Sequence, residues 1–291
     1  MTKKPIKALF QTLAGLACLG ASGFALADGH TPSFHGDVTI RLDDNVTRAQ
    51  YERDIEEDTV GSVLGQIDYL QQLNETSGLI YSASAEAEKF ATFEDLDNLN
   101  IKLSANYKWH LGYGFYSPRV AFSAAYTLRD FVNEQRTGSG FELGASMTRR
   151  FSENIIMTGG LRLRSFEGDS DVFSVDDTSA FLNVDFAITP RIALYTTVRL
   201  IVGDVVSTAE PSLDIINASD AIEPDEAFGG FRTNRFVYRL DADTTTLTVG
   251  GNYALDNKSS IDASLLYIDT QASGGFYYER LQYRASYLRR F

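Results

Sequence analysis

The sequence contains one cysteine and three histidines among its 291 residues. Cys18 lies near the N-terminus, so a chain cleaved after Ala27 has no thiol, which excludes disulfide and thiolate chemistry and suits an oxidising compartment. Histidine-based catalysis has few candidates, because His30 and His35 precede the first strand-like segment and His110 lies at a turn. We expect neither an enzyme nor a cofactor, although a carboxylate pair in an acidic loop would still permit enzymatic chemistry.

Long apolar runs are also missing. Beyond the N-terminal segment, no stretch approaches the about 18 consecutive apolar residues of a transmembrane helix. The formal net charge is −13, whereas a nucleic-acid partner requires a basic face. Helical membrane spans and nucleic-acid binding are therefore excluded.

The N-terminus has the features of a secretory signal peptide. Three lysines precede an apolar stretch at 8–21, and Ala25-Leu26-Ala27 has the small-x-small pattern of a cleavage site. We divide the chain into a signal peptide (1–27), a short N-terminal segment (28–35) and one domain (36–291).

Within this domain, apolar and polar residues alternate with period two, which predicts strands. In the segment 99–109, for example, every second residue from Leu99 to Trp109 is apolar, and the residues between them are polar or charged. The segments that alternate are 36–45, 62–73, 78–90, 99–109, 118–130, 140–150, 155–166, 178–188, 192–203, 236–253, 260–269 and 276–291. The connections between them are alternately short and long, and the longest, 204–235, holds seven acids.

The last of these segments ends the chain on Phe291, with Tyr283 and Tyr287 on the same face. It resembles the closing strand of Gram-negative outer-membrane β-barrels, although Arg289 stands where that pattern usually has an apolar residue. The resemblance implies an all-β, antiparallel, up-and-down transmembrane barrel of about 12 strands (10–14), with both termini in the periplasm. It also implies an outer-membrane location, contact with lipid and lipopolysaccharide, and recognition of Tyr283, Tyr287 and Phe291 by the barrel-assembly machinery.

The polar face of the strands carries many basic residues. A charge facing lipid near the bilayer midplane costs about 2–4 kcal/mol, so we assign this face to the lumen. The predicted lumen-facing basic residues are Lys102, Lys108, Arg119, Arg129, Arg162, Arg164, Arg199, Arg280 and Arg284. We expect part of the wall to be cationic, as in a small porin-like channel for polar or anionic solutes.

Two other interpretations stay open. In the first, the chain is a plugged structural or surface-interaction barrel. Arginine–carboxylate pairs then fill its interior, and 204–235 is a lid or a binding loop. In addition, cleavage after Ala27 exposes Asp28-Gly29-His30, which resembles an amino-terminal copper or nickel site, although a lone histidine at this position also arises by chance.

Aromatic residues near strand ends, including Phe166 and Phe276, are expected at the membrane interfaces.

Overall fold

The computed structural model describes residues 32–291. The predicted signal peptide and His30 lie outside these residues. Within 32–291, no helix is long and apolar enough to cross a membrane.

The described chain forms one antiparallel sheet of thirteen strands. They are β1 (Ser33–Asp43), β2 (Asp58–Gln72), β3 (Ser77–Phe90), β4 (Asn98–His110), β5 (Arg119–Phe131), β6 (Gly138–Arg150), β7 (Ile155–Gly168), β8 (Val175–Thr189), β9 (Ile192–Ala209), β10 (Ala221–Pro224), β11 (Phe236–Ala254), β12 (Ser259–Ala272) and β13 (Tyr277–Arg290). β13 pairs with β1, and β9 pairs with β11, which leaves the four-residue β10 outside the ring. The predicted twelve-stranded barrel is confirmed.

The two ends of the barrel differ. Both described termini lie at one end, which we call the turn end, together with the connections 73–76, 111–118, 151–154, 190–191 and 255–258. The other end, the loop end, holds the connections 44–57, 91–97, 132–137, 169–174, 210–235 and 273–276. Each contains a short helix, including α1 (Leu213–Ala218). The predicted connection from Asp204 is shorter, because β9 continues to Ala209. That the turn end faces the periplasm stays a prediction.

Alternation along the strands produces the two faces of the barrel. In β1, Val38, Ile40 and Leu42 are 52%, 57% and 50% exposed, whereas Thr39 and Arg41 point inward. Exposed leucines, valines and isoleucines continue this pattern around the other strands. An apolar outer belt of this kind is stable when lipid surrounds it, so the barrel spans a membrane.

Buried apolar side chains are concentrated at the loop end. One cluster contains Phe90 and Phe228, a second contains Val172 and Phe173, and a third contains Phe276. The expectation that Phe276 lies at the membrane interface is therefore wrong, because its ring packs against the folded connections. We call the six packed connections the cap.

The cap is held together by contacts of the 210–235 connection and the adjoining end of β9 with other connections. The amide of Thr208 donates to the carbonyl of Thr47 at 2.8 Å, and the rings of Phe93 and Phe228 are 4.7 Å apart. Arg136 of the 132–137 connection forms an ion pair with Asp225. The 210–235 connection therefore lies across the loop end rather than extending away from it.

Candidate functional site

The nine predicted basic residues occupy inward-facing positions of their strands, but they do not form one group. Five of them line a single lumenal cavity of about 310 Å³: Lys102, Arg129, Arg162, Arg164 and Arg199. Lys108 and Arg119 are exposed at the turn end. Arg280 and Arg284 lie on the opposite wall, on β13. We call the 310 Å³ space the basic cavity.

Two carboxylates belong to the basic cavity, and both are already paired. Glu142 lies 3.5 Å from the Lys102 ammonium and 3.5 Å from the Arg162 guanidinium. Asp177 accepts a short hydrogen bond from Nε of Arg164. The Arg164–Asp177 pair follows from register, because these two residues are opposite each other across β7–β8.

The other two arginines of the cavity have aromatic rather than acidic partners. Arg129 lies over the ring of Phe166 at 5.6 Å, and Arg199 lies over the ring of Phe181 at 5.8 Å. Among residues 32–291, neither arginine forms an ion pair with a carboxylate within 4.0 Å. A ring beneath a guanidinium holds its plane and leaves its edge donors available.

Local sequence explains both stacks. Phe166 follows Arg162 and Arg164 on the inward positions of β7, so the expectation that it lies at the membrane interface is wrong. Gly160 leaves room for the ring of Phe181, because a Cβ at this glycine would lie 2.8 Å from that ring. Gly160 therefore has a packing role in a strand.

The opposite wall of the lumen is acidic. A second cavity of about 320 Å³ is lined by Asp37, Glu86, Glu88 and Asp262, with Arg41 and Arg284 as its basic residues. Arg41 contacts Glu88 at 3.1 Å, and Arg284 donates to Gln282 at 2.8 Å. The lumen thus has a basic side and an acidic side.

Arg280 does not extend the basic side. Its Nε donates to the buried Asp43 carboxylate at 2.8 Å, and its terminal nitrogen donates to the other oxygen. Gln282 also donates to Asp43, at 2.7 Å. This satisfied group closes the loop-end rim where β1 and β13 meet, and its charge is not available to a solute.

Two carboxylates of the cap are fully buried, and the sequence does not predict their pairing. Asp225 is fully buried and accepts hydrogen bonds from Arg136 at 2.6 Å and from Thr208 at 2.5 Å. Asp54 is likewise fully buried and pairs with Arg235. The partners are 89 and 181 residues apart in sequence, so no local spacing relates them.

Arg48 lies in the cap with one long side-chain hydrogen bond. Its guanidinium donates to the carbonyl of Val206 at 3.4 Å, and its backbone is in the left-handed region, with φ of 56°. Burial, together with the nearby charge of Arg280, lowers the pKa of Arg48 from its ordinary value to about 10.

A serine, a histidine and an aspartate meet at the turn end, but they lack the geometry of a catalytic triad. Nε2 of His35 is 3.3 Å from Ser33 Oγ and 3.1 Å from Asp68 Oδ2. A triad places the acid on one ring nitrogen and the nucleophile on the other. Here both contact one nitrogen, so the ring cannot accept a proton from serine while aspartate orients its other side.

No protein-family model matches this sequence, and no curated protein matches it. Among solved structures, the chain is similar to an outer-membrane channel from Pseudomonas putida F1, with a TM-score of 0.56, 12% identity, and coverage of 92% of this chain and 100% of that one. It is also similar to the translocator domain of the autotransporter NalP from Neisseria meningitidis, with a TM-score of 0.44, 11% identity, and coverage of 98% and 97%. The KdgM porin matches with a TM-score of 0.42, 8% identity, and coverage of 87% and 98%. The chain has the fold of bacterial outer-membrane β-barrels, and its apolar belt is consistent with a location in that membrane.

Proposed function

We propose that this outer-membrane barrel is a channel for small anionic solutes, which pass along the basic side of its lumen. The observation that carries the proposal is the excess of cations in the basic cavity, where five basic side chains face two carboxylates. A cationic wall in a low-dielectric barrel concentrates anions, and arginine forks replace part of their hydration shell. The acidic opposite wall disfavours residence of the anion in the middle of the lumen.

A second candidate function is a closed barrel that acts through its loop end. The observation that favours it is the cap, in which the 210–235 connection pairs with the 44–57 and 132–137 connections. In this alternative, the basic cavity is an internal space, and the exposed surface of 210–235 binds a partner.

We propose a non-enzymatic role for both candidates. Among the described residues, the two histidines, His35 and His110, lie at the turn end, and His35 lacks the geometry of a general base oriented by an acid. This proposal predicts no turnover that depends on His35, and hydrolase assays on His35→Gln provide the check.

Planar-bilayer recordings of the refolded chain test the channel. Under a KCl gradient we expect discrete conductance steps and a reversal potential of the sign given by chloride preference. Arg129→Gln and Arg162→Gln are expected to weaken that preference, whereas Arg191→Gln, at an exposed turn, leaves it unchanged. Absence of conductance steps, or a preference for potassium in the wild type, contradicts the anion channel.

A further inference from the structure

We propose that the basic cavity is a saturable binding site for a small linear dicarboxylate, with Arg129 and Arg199 each binding one carboxylate. The inference deepens the proposed channel, on which it rests for access of the solute to the lumen. It concerns a bound solute, whereas anion preference requires only a basic wall.

The number of unengaged cations defines the charge of the ligand. Glu142 and Asp177 each contact a lysine or arginine of the cavity, namely Lys102, Arg162 or Arg164. Within the described part of the chain, no carboxylate accepts from Arg129 or Arg199. Two separate guanidinium groups match two separate anionic groups on one solute.

Neighbouring like charges add a reason for a dianion to bind. Arg164 acts on Arg129 as a like charge, and Arg162 acts on Arg199 in the same way. In a narrow barrel this repulsion is screened less than at a surface. A bound dianion compensates both arginines at once, while a monoanion compensates one.

The chemistry of the two arginines favours carboxylate groups. Each guanidinium lies over an aromatic ring, which limits its rotation and leaves the planar fork of donors for a planar acceptor. Paired parallel hydrogen bonds to a carboxylate match this fork. Two fixed forks therefore favour one carboxylate at each end of the solute.

The spacing of the strands favours a linear solute. Arg129 on β5 and Arg199 on β9 are four strand intervals apart, or roughly 19 Å across the strands. The register also places them at the levels of Gly168 and Gly160 of β7, so they are separated along the strand direction as well. Both side chains extend inward to line the same cavity of about 310 Å³. A solute that reaches both guanidinium groups at once is therefore extended, with one carboxylate at each end, as in a six-carbon dicarboxylate.

Isothermal titration calorimetry on the full chain refolded in detergent tests the site without requiring conduction. The probes are adipate, hexanoate, which has the same carbon number and one carboxylate, and inorganic phosphate, which has its charge on one group. We expect adipate to bind at least tenfold more tightly than either of the others. Equal affinity for adipate and hexanoate, or for adipate and phosphate, overturns the proposal.

Variants test the two contacts. Arg129→Gln and Arg199→Gln are each expected to abolish the advantage of adipate over hexanoate. Arg129→Lys keeps the charge but lacks the planar fork of donors, so we expect it to retain only part of that advantage. Arg191→Gln is the matched control at an exposed turn, and heat-dependent migration on gels confirms that each variant is folded. If both glutamine variants keep the adipate preference, the proposal fails.

The two proposals fail separately. Chloride-selective conductance without adipate preference overturns the dicarboxylate site and leaves the channel intact. Saturable adipate binding by a chain that conducts no ions overturns the channel and leaves a binding site.

Discussion

At the scale of single residues, Arg48 combines two unfavourable features. Its left-handed backbone costs roughly 1–2 kcal/mol for a residue with a Cβ, and its buried charge has one long hydrogen bond, to Val206. The packing of the cap around Arg48 holds it in this unfavourable backbone conformation and environment. We therefore expect replacement of Arg48 to stabilise the barrel.

The prediction separates the two features by using two variants. Arg48→Ala removes the buried charge and keeps the strain, and Arg48→Gly removes both. We expect the free energy of unfolding to rise by about 1 kcal/mol in the alanine variant and further in the glycine variant, measured from urea unfolding of the refolded chain. A lower stability of both variants contradicts this account.

The pKa of Arg48 gives this gain a defined pH dependence. Because its folded pKa of about 10 lies below the ordinary pKa of an unfolded arginine, unfolding takes up protons between these two values. The destabilisation by the charged form is complete at pH values well below 10 and is lost as the pH rises through the folded pKa towards the unfolded one. We expect the same gain in Arg48→Ala at about pH 6 and about pH 8, because the arginine is charged in both states throughout this range.

At the scale of elements, the Asp225 carboxylate connects the cap. It accepts from Arg136 and from Thr208, while the backbone of Asp225 bonds to Arg235 at 3.0 Å. Asp225→Asn leaves the Arg136 guanidinium without its charged partner, and breaking a buried pair in this way costs about 3–5 kcal/mol. We expect this loss of stability to appear as local opening of the cap, because the barrel strands keep their own backbone hydrogen bonds.

Hydrogen exchange measures that opening. Peptides covering 221–235 are expected to exchange faster in Asp225→Asn, while peptides from β4 and β5 keep their protection. Asp214→Asn, an exposed acid of the same connection, is the control. If the cap closes the barrel, the Asp225 variant also conducts more than the wild type, and unchanged exchange contradicts the role of the pair.

The barrel strands could be predicted from the sequence, because in each of them apolar residues that face lipid alternate with polar residues that face the lumen. Leu99, Ile101 and Leu103 face lipid while Asn100 and Lys102 face the lumen, so alternation alone defines the strand and its faces. The extension of β9 to Ala209 could not be predicted, since beyond Gly203 it packs in the cap instead of alternating between lipid and lumen.

The candidate site could be predicted only in part. Inward orientation of Arg129 and Arg199 follows from period two. Their lack of a carboxylate partner among residues 32–291 depends on which residues lie opposite on neighbouring strands and on aromatic rings such as Phe166. The position of Phe166 near a strand end predicts the membrane interface, whereas its alternation with Arg162 and Arg164 directs it inward, as in the structure. The cap pairs involve side chains brought together by long connections, for which no periodicity exists.

At the scale of the whole molecule, one pairing closes the barrel. β1 and β13 are the first and last described strands, and their register places His35 opposite Arg290. The amide of Phe291 donates to the carbonyl of Phe34 at 2.9 Å, so the last residue completes the seam at the turn end. This pairing joins the most distant parts of the described chain, and its closure entropy is correspondingly high.

The side chain of Phe291 offers a separate test of the predicted assembly signal, because the chain contains a close structural match. Arg289 lies over Phe291 at 5.5 Å, and the ring is 57% exposed. Arg149 lies over Phe151 at 5.4 Å, and that ring is 55% exposed, also at the turn end. The two pairs share their interfacial environment, and they differ in that Phe291 is the last residue of the chain.

We therefore predict that Phe291→Ala and Phe151→Ala have similar, small effects on the stability of barrels refolded in detergent, since each removes one ring at the interface. In cells, Phe291→Ala is expected to lower the folded fraction in the outer membrane several-fold, because the assembly machinery would read the terminal aromatic, while Phe151→Ala is not. The heat-modifiable fraction in isolated outer membranes measures both. Equal losses for the two variants in cells would assign Phe291 an ordinary interfacial role and contradict its part in assembly.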